Sequence, residues 1–118
     1  MAKHNEVGQT GEAIAADFLQ QKGYTIIATN WRYQYAEIDI ICQLQDLIVF
    51  VEVKTQTHQK QSYPEEAVND KKIQKLGEAA EEFLHQHEQQ GEFRFDIIAV
   101  TLQPQTIITH FEDAFFPH

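Results

Sequence analysis

The sequence holds a single cysteine, Cys42, in 118 residues, so no internal disulfide can form and a reducing, cytoplasmic setting is expected. Proline and glycine are sparse, at three and five residues, which excludes collagen-like and low-complexity chains. No apolar run approaches the ~20 residues that a membrane-spanning helix needs. The opening residues, MAKHNEVGQTGEA, hold no signal-peptide apolar stretch. No membrane partner is expected. Also missing are G-x-x-x-x-G-K-[ST], a G-x-G-x-x-G after a strand, G-x-S-x-G and paired cysteines. Phosphate-binding loops, dinucleotide folds, serine-hydrolase elbows and cysteine-rich zinc sites are therefore without support.

Positive charge is scarce too. Nine Lys and Arg face eighteen Asp and Glu, for a formal net charge of −9. Broad electrostatic grip on nucleic acid leaves a basic footprint, and the chain as a whole has none. A local lysine cluster still acts within a Debye length of about 8 to 10 Å, so where the basic residues lie matters more than their sum.

What is present is ordinary globular material: 42% hydrophobic and 23% charged residues, in a length suited to one domain spanning residues 1–118. Residues 6–22 place Val7, Gly11, Ile14 and Phe18 at helical spacing, with Gly23 as a stop. YTIIATNWRY (24–33), AEIDIIC (36–42) and LIVFVEVK (47–54) read as three strands of a meander, and TQTHQKQSY (55–63) as a loop. Pro64 and Asn69 open a second helix with Ile73, Leu76, Ala80, Phe83 and Leu84 on one face and Gly91 at its end. FRFDIIAVTL (93–102) reads as a central strand and TIITHF as the last, after a turn at Pro104. The order α-β-β-β-α-β-β, with a helix joining the third and fourth strands, predicts a parallel pair within a mixed sheet flanked by helices, an α/β fold.

The third strand carries charges where a buried strand should not. Side chains alternate along a strand, so Phe50, Glu52 and Lys54 share one face, as do Glu37, Asp39 and Ile41 on the strand before. A reversal centred between Gln45 and Asp46 sets Asp39 opposite Glu52 and Glu37 opposite Lys54, with opposed Cβ atoms ~5 Å apart. Two carboxylates held so close destabilise a fold unless a proton or a cation lies between them. Mg²⁺ supplies such a cation, since it takes one or two carboxylates and completes its octahedron with waters and a substrate phosphate. That chemistry suits phosphodiester hydrolysis, with a nearby ammonium orienting water. The bland alternative is a salt-bridged trio at a strand end.

Asp39, a gap of twelve residues and then Glu52-Val53-Lys54 resembles the D…E-x-K pattern of the restriction-endonuclease-like, PD-(D/E)xK nuclease superfamily. Across most of the chain, GQTGEAIAADFL, GYTIIATNWR, AEIDII, LIVFVEVKT, PEEAV, KKIQKL and RFDIIAV resemble, in order, the blocks of the largely uncharacterised bacterial YraN-like family, itself similar to Holliday junction resolvases. The resemblance implies a Mg²⁺-dependent endonuclease acting on DNA, branched or damaged, with Mn²⁺ as a substitute metal. It makes Asp39, Glu52 and the Val53 carbonyl metal ligands, Lys54 the residue that positions water, and Glu12 an acid near the site. It also implies that Lys72 or Lys71, at the start of the second helix, contacts phosphate. A homodimer is compatible with resolvase-like action. Ala36, Gln56 and the loop HQKQSY depart from the family pattern, where glycine, a basic residue, and glycine with arginine are usual. An inactive nucleic-acid-binding or protein-adaptor module that keeps the fold is the alternative function.

Other residues carry weaker signals. Arg32 is read as a phosphate contact or a strand cap, and Asp96 as structural, paired with Arg94 or Arg32. His85 and His87 are two apart on a helix and share no face, which argues against a zinc pair. His58 reads as a solvated histidine after the site and Cys42 as a small core residue. FEDAFFPH, with its three phenylalanines, could cover its own fold or a partner.

Overall fold

The structure is a computed structural model describing residues 2–58, 69–88 and 91–116. Its elements are α1 (Ala2–Gln21), β1 (Thr25–Tyr33), β2 (Ala36–Leu44), β3 (Leu47–His58), α2 (Asp70–Gln86), β4 (Phe93–Gln103) and β5 (Ile107–Phe111). One sheet runs in the order β1-β2-β3-β4-β5, antiparallel throughout except for the parallel β3–β4 pair. This is the mixed sheet flanked by helices expected from the sequence. None of the described helices is long and apolar enough to cross a membrane.

Each face of the sheet buries its own cluster. Under α2 lie Ile38, Ile41, Ile48, Phe50 and Phe95 with Leu76, Ala79, Ala80 and Phe83 of the helix. Under α1 lie Ile40, Cys42, Val49, Val51, Ile98 and Val100 with Ala15 and Leu19. Phe83 anchors the first cluster, its ring edge-on to Trp31 at 5.4 Å and to Phe50 at 5.9 Å. Asn69 starts α2 as its N-cap, its side chain accepting the Lys72 N–H at 2.9 Å. The tail closes on its own fold, with the Phe115 ring 5.2 Å from Phe95 and the Phe116 ring stacked 6.4 Å from Phe93.

Three expectations need correction. The fully buried stripe of α1 runs from the expected Gly11 to Ala15 and Leu19, with Ile14 and Phe18 only half-buried against the same cluster, because the helix lies closest to the sheet at its smallest residue. β3 continues through Thr55 and Gln56 to His58, where a loop is expected, because β4 offers a parallel partner for that length, pairing Thr55 with Val100 and His58 with Gln103. α2 ends at Gln86, with His87 as its C-cap, short of Gly91. Residues 59–63, Pro64, Glu65 and Glu66 lie outside the described residues.

Gly11 decides how α1 meets the site. A Cβ there would stand 1.8 Å from Thr55 Oγ1 and 2.7 Å from Thr55 Cβ, so only glycine allows the helix to rest on β3. At Gly8 a Cβ meets nothing within 4 Å. Gly8→Ala is therefore expected to stabilise the protein by about 0.5–1 kcal/mol through helix propensity. Gly11→Ala should cost about 1–3 kcal/mol through forced displacement. Urea unfolding of the two variants checks this, and equal effects would contradict the close approach.

Candidate functional site

The β2–β3 register is the one expected, from Leu44↔Leu47 to Ile40↔Val51, and there the ladder stops. The next residue on β2 is Asp39. It enters no backbone pair with Glu52; its Oδ2 instead accepts the Val53 N–H at 2.8 Å. The carboxylate thus stands where a carbonyl of the partner strand would, and the two strands part around it. On the other side β1 and β2 pair at Thr29↔Ile40 and Trp31↔Ile38 but skip Asn30, which has a φ of 51°, and Asp39. The strict alternation of β2 breaks at this point: Ile38 packs under α2 and Ile40 under α1, although their numbers have the same parity.

Glu52 is 5% exposed and projects to the α2 side of the sheet, as the alternation along β3 requires. The two carboxyl groups therefore meet through their side chains across the gap. Burial, and next the neighbouring charge of Glu52, push Asp39 up to about 8; Glu12 adds to the rise, while the Val53 N–H opposes it. Glu12 comes from α1 at the residue after Gly11, and its Oε1 accepts a hydrogen bond from Asn30 Nδ2 at 2.9 Å. The glycine contact and the irregular Asn30 together set this third acid beside Asp39.

Two ammonium groups face the acids. Lys72, in the first turn of α2, makes a close ion pair with Glu52, and Lys54 Nζ lies 3.8 Å from the same carboxylate. Burial, and next the hydrogen-bonding approach of Lys72, lower the pKa of Lys54. Burial works against the charge on Lys72 as well, but its bond to Glu52 outweighs this and the pKa is raised. A cation in the first turn of a helix opposes the helix dipole.

The remaining expected site residues lie elsewhere. Lys71 is exposed on the same turn as Lys72, with no contact to the acids. Glu37 does not oppose Lys54, since the strands have parted by then; it pairs with Arg32 along β1 at 3.3 Å. Arg32, its side chain 72% exposed, is thus taken up by a strand neighbour. Gln56 donates to Thr101 Oγ1 at 3.0 Å and ties β3 to β4. Among the described residues no group of three or more His, Cys, Asp or Glu side chains could hold a metal alone.

The profile of the uncharacterised protein family UPF0102 matches residues 11–100. A UPF0102 protein of Flavobacterium psychrophilum is 46% identical over 117 residues, covering 98% of each chain. One from Christiangramia forsetii is 41% identical over the same share, and one from Syntrophomonas wolfei 38% identical over 95% of this chain and 99% of its own. The chain belongs to the UPF0102 family. Its element order and sheet topology are consistent with the PD-(D/E)xK nuclease superfamily.

This UPF0102 protein buries another acid, on the opposite face of the sheet. Asp96, fully buried, receives Arg94 through two 2.8 Å bonds, His110 Nε2 at 2.7 Å and the Asp113 N–H at 3.0 Å. Burial alone would raise its pKa, but these donors lower it. Arg94 also donates to the Tyr24 hydroxyl at 2.8 Å, so the network pins β4, β5 and the C-terminal tail to the end of α1. It is satisfied throughout, which marks it as structural and sets it apart from the strained pair at Asp39 and Glu52. His110 and Tyr24 carried no sequence signal, because their partners lie 14 and 70 residues away. Cys42 is core, its thiol pushed up to about 12 by burial.

The raised pKa of Asp39 makes a pH-dependent cost. Between the ordinary carboxylate range and about 8 the unfolded chain releases this proton while the folded protein retains it, so stability falls as pH rises through that window. Asp39→Asn still accepts the Val53 N–H but carries no charge. Without added metal it should be more stable than wild type at pH 8 by a few kcal/mol, at ~1.36 kcal/mol per pH unit, and nearly equal at pH 4. Thermal melts of both proteins across this range check the difference; parallel curves would contradict it.

Proposed function

We propose that this UPF0102 protein is a divalent-metal-dependent phosphodiesterase acting on DNA inside the cytoplasm. The observation that carries the reading is the parting of β2 and β3 at Asp39, which holds one half-buried and one buried carboxylate together with an ammonium group already drawn onto the buried one. A fold has no need of this like-charge pair, and a site built to receive a cation does. Two protein carboxylates are too few for a dedicated cage but fit Mg²⁺, which completes its shell with waters and substrate phosphate. Asp39, Glu52 and the Val53 carbonyl would hold it, and Mn²⁺ would substitute. The bound metal would lower the pKa of a coordinated water and offset charge on the phosphate.

This chain's own residues would do the rest. Lys54, its ammonium weakened by burial, holds and orients the attacking water. Lys72, paired with Glu52, would be free to turn its charge to the phosphate once these acids held a cation, and Lys71 on the same turn would add to the field. Glu12 fixes Asn30 and biases Asp39 toward a cation. Attack of water on phosphorus forms one P–O bond as the bond to the leaving sugar oxygen breaks. The net charge of −9 confines DNA contact to this basic corner and disfavours nonspecific coating of duplex.

Calorimetric titration with Mn²⁺ should show binding by the wild type that disappears in Asp39→Ala. Labelled single-stranded, duplex, flap and four-way junction DNA should include a form that wild type cuts, Asp39→Ala does not, and Lys54→Met cuts about 100-fold more slowly. Metal binding unaffected by Asp39→Ala would refute the site. Junction binding in chelator with no cleavage under any metal would establish the adaptor reading instead.

A further inference from the structure

The tip of the β1–β2 hairpin is built unlike a solvent turn. Its last backbone pair is Tyr33↔Ala36, so only Gln34 and Tyr35 make the reversal, with Gln34 at a φ of 56°. Tyr35 is 91% exposed, which makes it the most exposed of the large apolar side chains among the described residues. Folding gains nothing from an aromatic ring in water, and hairpin turns of this length favour Asn, Asp or Gly. The turn is nevertheless held firmly. Tyr33 packs against the cluster under α2, and Gln34 Nε2 donates to the Tyr33 hydroxyl at 3.3 Å.

The position of this ring ties it to the acids. Tyr33, Gln34, Tyr35 and Ala36 line a notch of about 50 Å³ with Lys75 and Glu78 of α2. Lys75 stands one helical turn beyond Lys72, which is bonded to Glu52. Tyr35, in the turn just before β2, is four residues before Asp39, roughly 13 Å at ~3.3 Å per residue. About four stacked nucleotides cover that span at ~3.4 Å each. Lys72, on Glu52, and Lys75, at the notch beside Tyr35, thus place basic charge of α2 between the acids and the aromatic ring.

We infer that Tyr35 is a stacking platform for an unpaired nucleobase of the strand whose phosphate lies at Asp39 and Glu52. The inference rests on the phosphodiesterase reading for the identity of the strand and names its form: single-stranded next to the cut, as at a flap, a fork or a junction. A lone phenol ring beside a lysine recognises every base through its π face and so imposes no sequence preference. The notch is too small to take a base, so the base lies on the ring and Lys75 meets its phosphate. Glu78 at the notch rim disfavours a second phosphate there.

Equilibrium binding of the full chain, in chelator, to oligonucleotides carrying 2-aminopurine tests this without any cleavage. Wild type should quench 2-aminopurine in a single strand or at an unpaired junction position. Tyr35→Ala should lose the quench and bind these substrates about 5- to 100-fold more weakly, whereas Tyr35→Trp keeps both, and neither change alters binding to continuous duplex. Asp39→Ala, run alongside, should retain the quench whether or not the wild type cleaves DNA, which separates this inference from the catalytic one. A wild type that gives no quench, or a Tyr35→Ala protein that binds unpaired strands as wild type does, overturns it.

Discussion

Everything in the site depends on one hydrogen bond, from the Val53 N–H to the Asp39 carboxylate. An antiparallel ladder would have continued past Ile40↔Val51 and left Asp39 and Glu52 as an ordinary opposed pair. With the side chain in place of the ladder, the strands diverge and the Asp39 carboxyl stays partly buried close to Glu52. Desolvation and like charge then act on the same atoms, and both favour the arrival of a cation or a proton. That need is met in part by Lys72.

The helices serve this opening rather than the core alone. α1 approaches β3 so closely at Gly11 that the next residue, Glu12, falls beside Asp39, and the same approach orders Asn30. α2 buries Leu76, Ala79, Ala80 and Phe83 against the sheet, and this anchoring lets its first turn carry Lys72 against the helix dipole. Mobile lysines on the surface would contribute little to a fold. A lysine held by a packed helix over a buried glutamate has a defined direction.

Asp96 and Asp39 show how the same residue type serves opposite ends. Asp96 collects donors on all sides, its charge satisfied, and it joins β4, β5 and the tail. Asp39 has one backbone donor and a second carboxylate for company. Full satisfaction gives rigidity and leaves nothing over for a ligand; partial satisfaction leaves capacity that a ligand can fill.

The order of elements, the parallel β3–β4 pair and the register of the β2–β3 hairpin were legible in the sequence, because hydrophobic period and turn position are local properties. The anomaly of Glu52 and Lys54 in an apolar strand was legible for the same reason. The extension of β3 to His58 was not, since only the presence of β4 alongside makes a polar segment a strand. The pairing of Asp96 with Arg94 was legible as well, two residues apart on one strand, but not the Arg32–Glu37 pair, the His110 and Tyr24 members of the Asp96 network or the break in alternation at Asp39, which arise where strands part or distant segments meet. The sequence by itself determined which residues are charged, which are apolar and how the strands run. Only the tertiary structure decided which charges are desolvated and which face one another, because the field at a carboxylate depends on neighbours brought from across the chain.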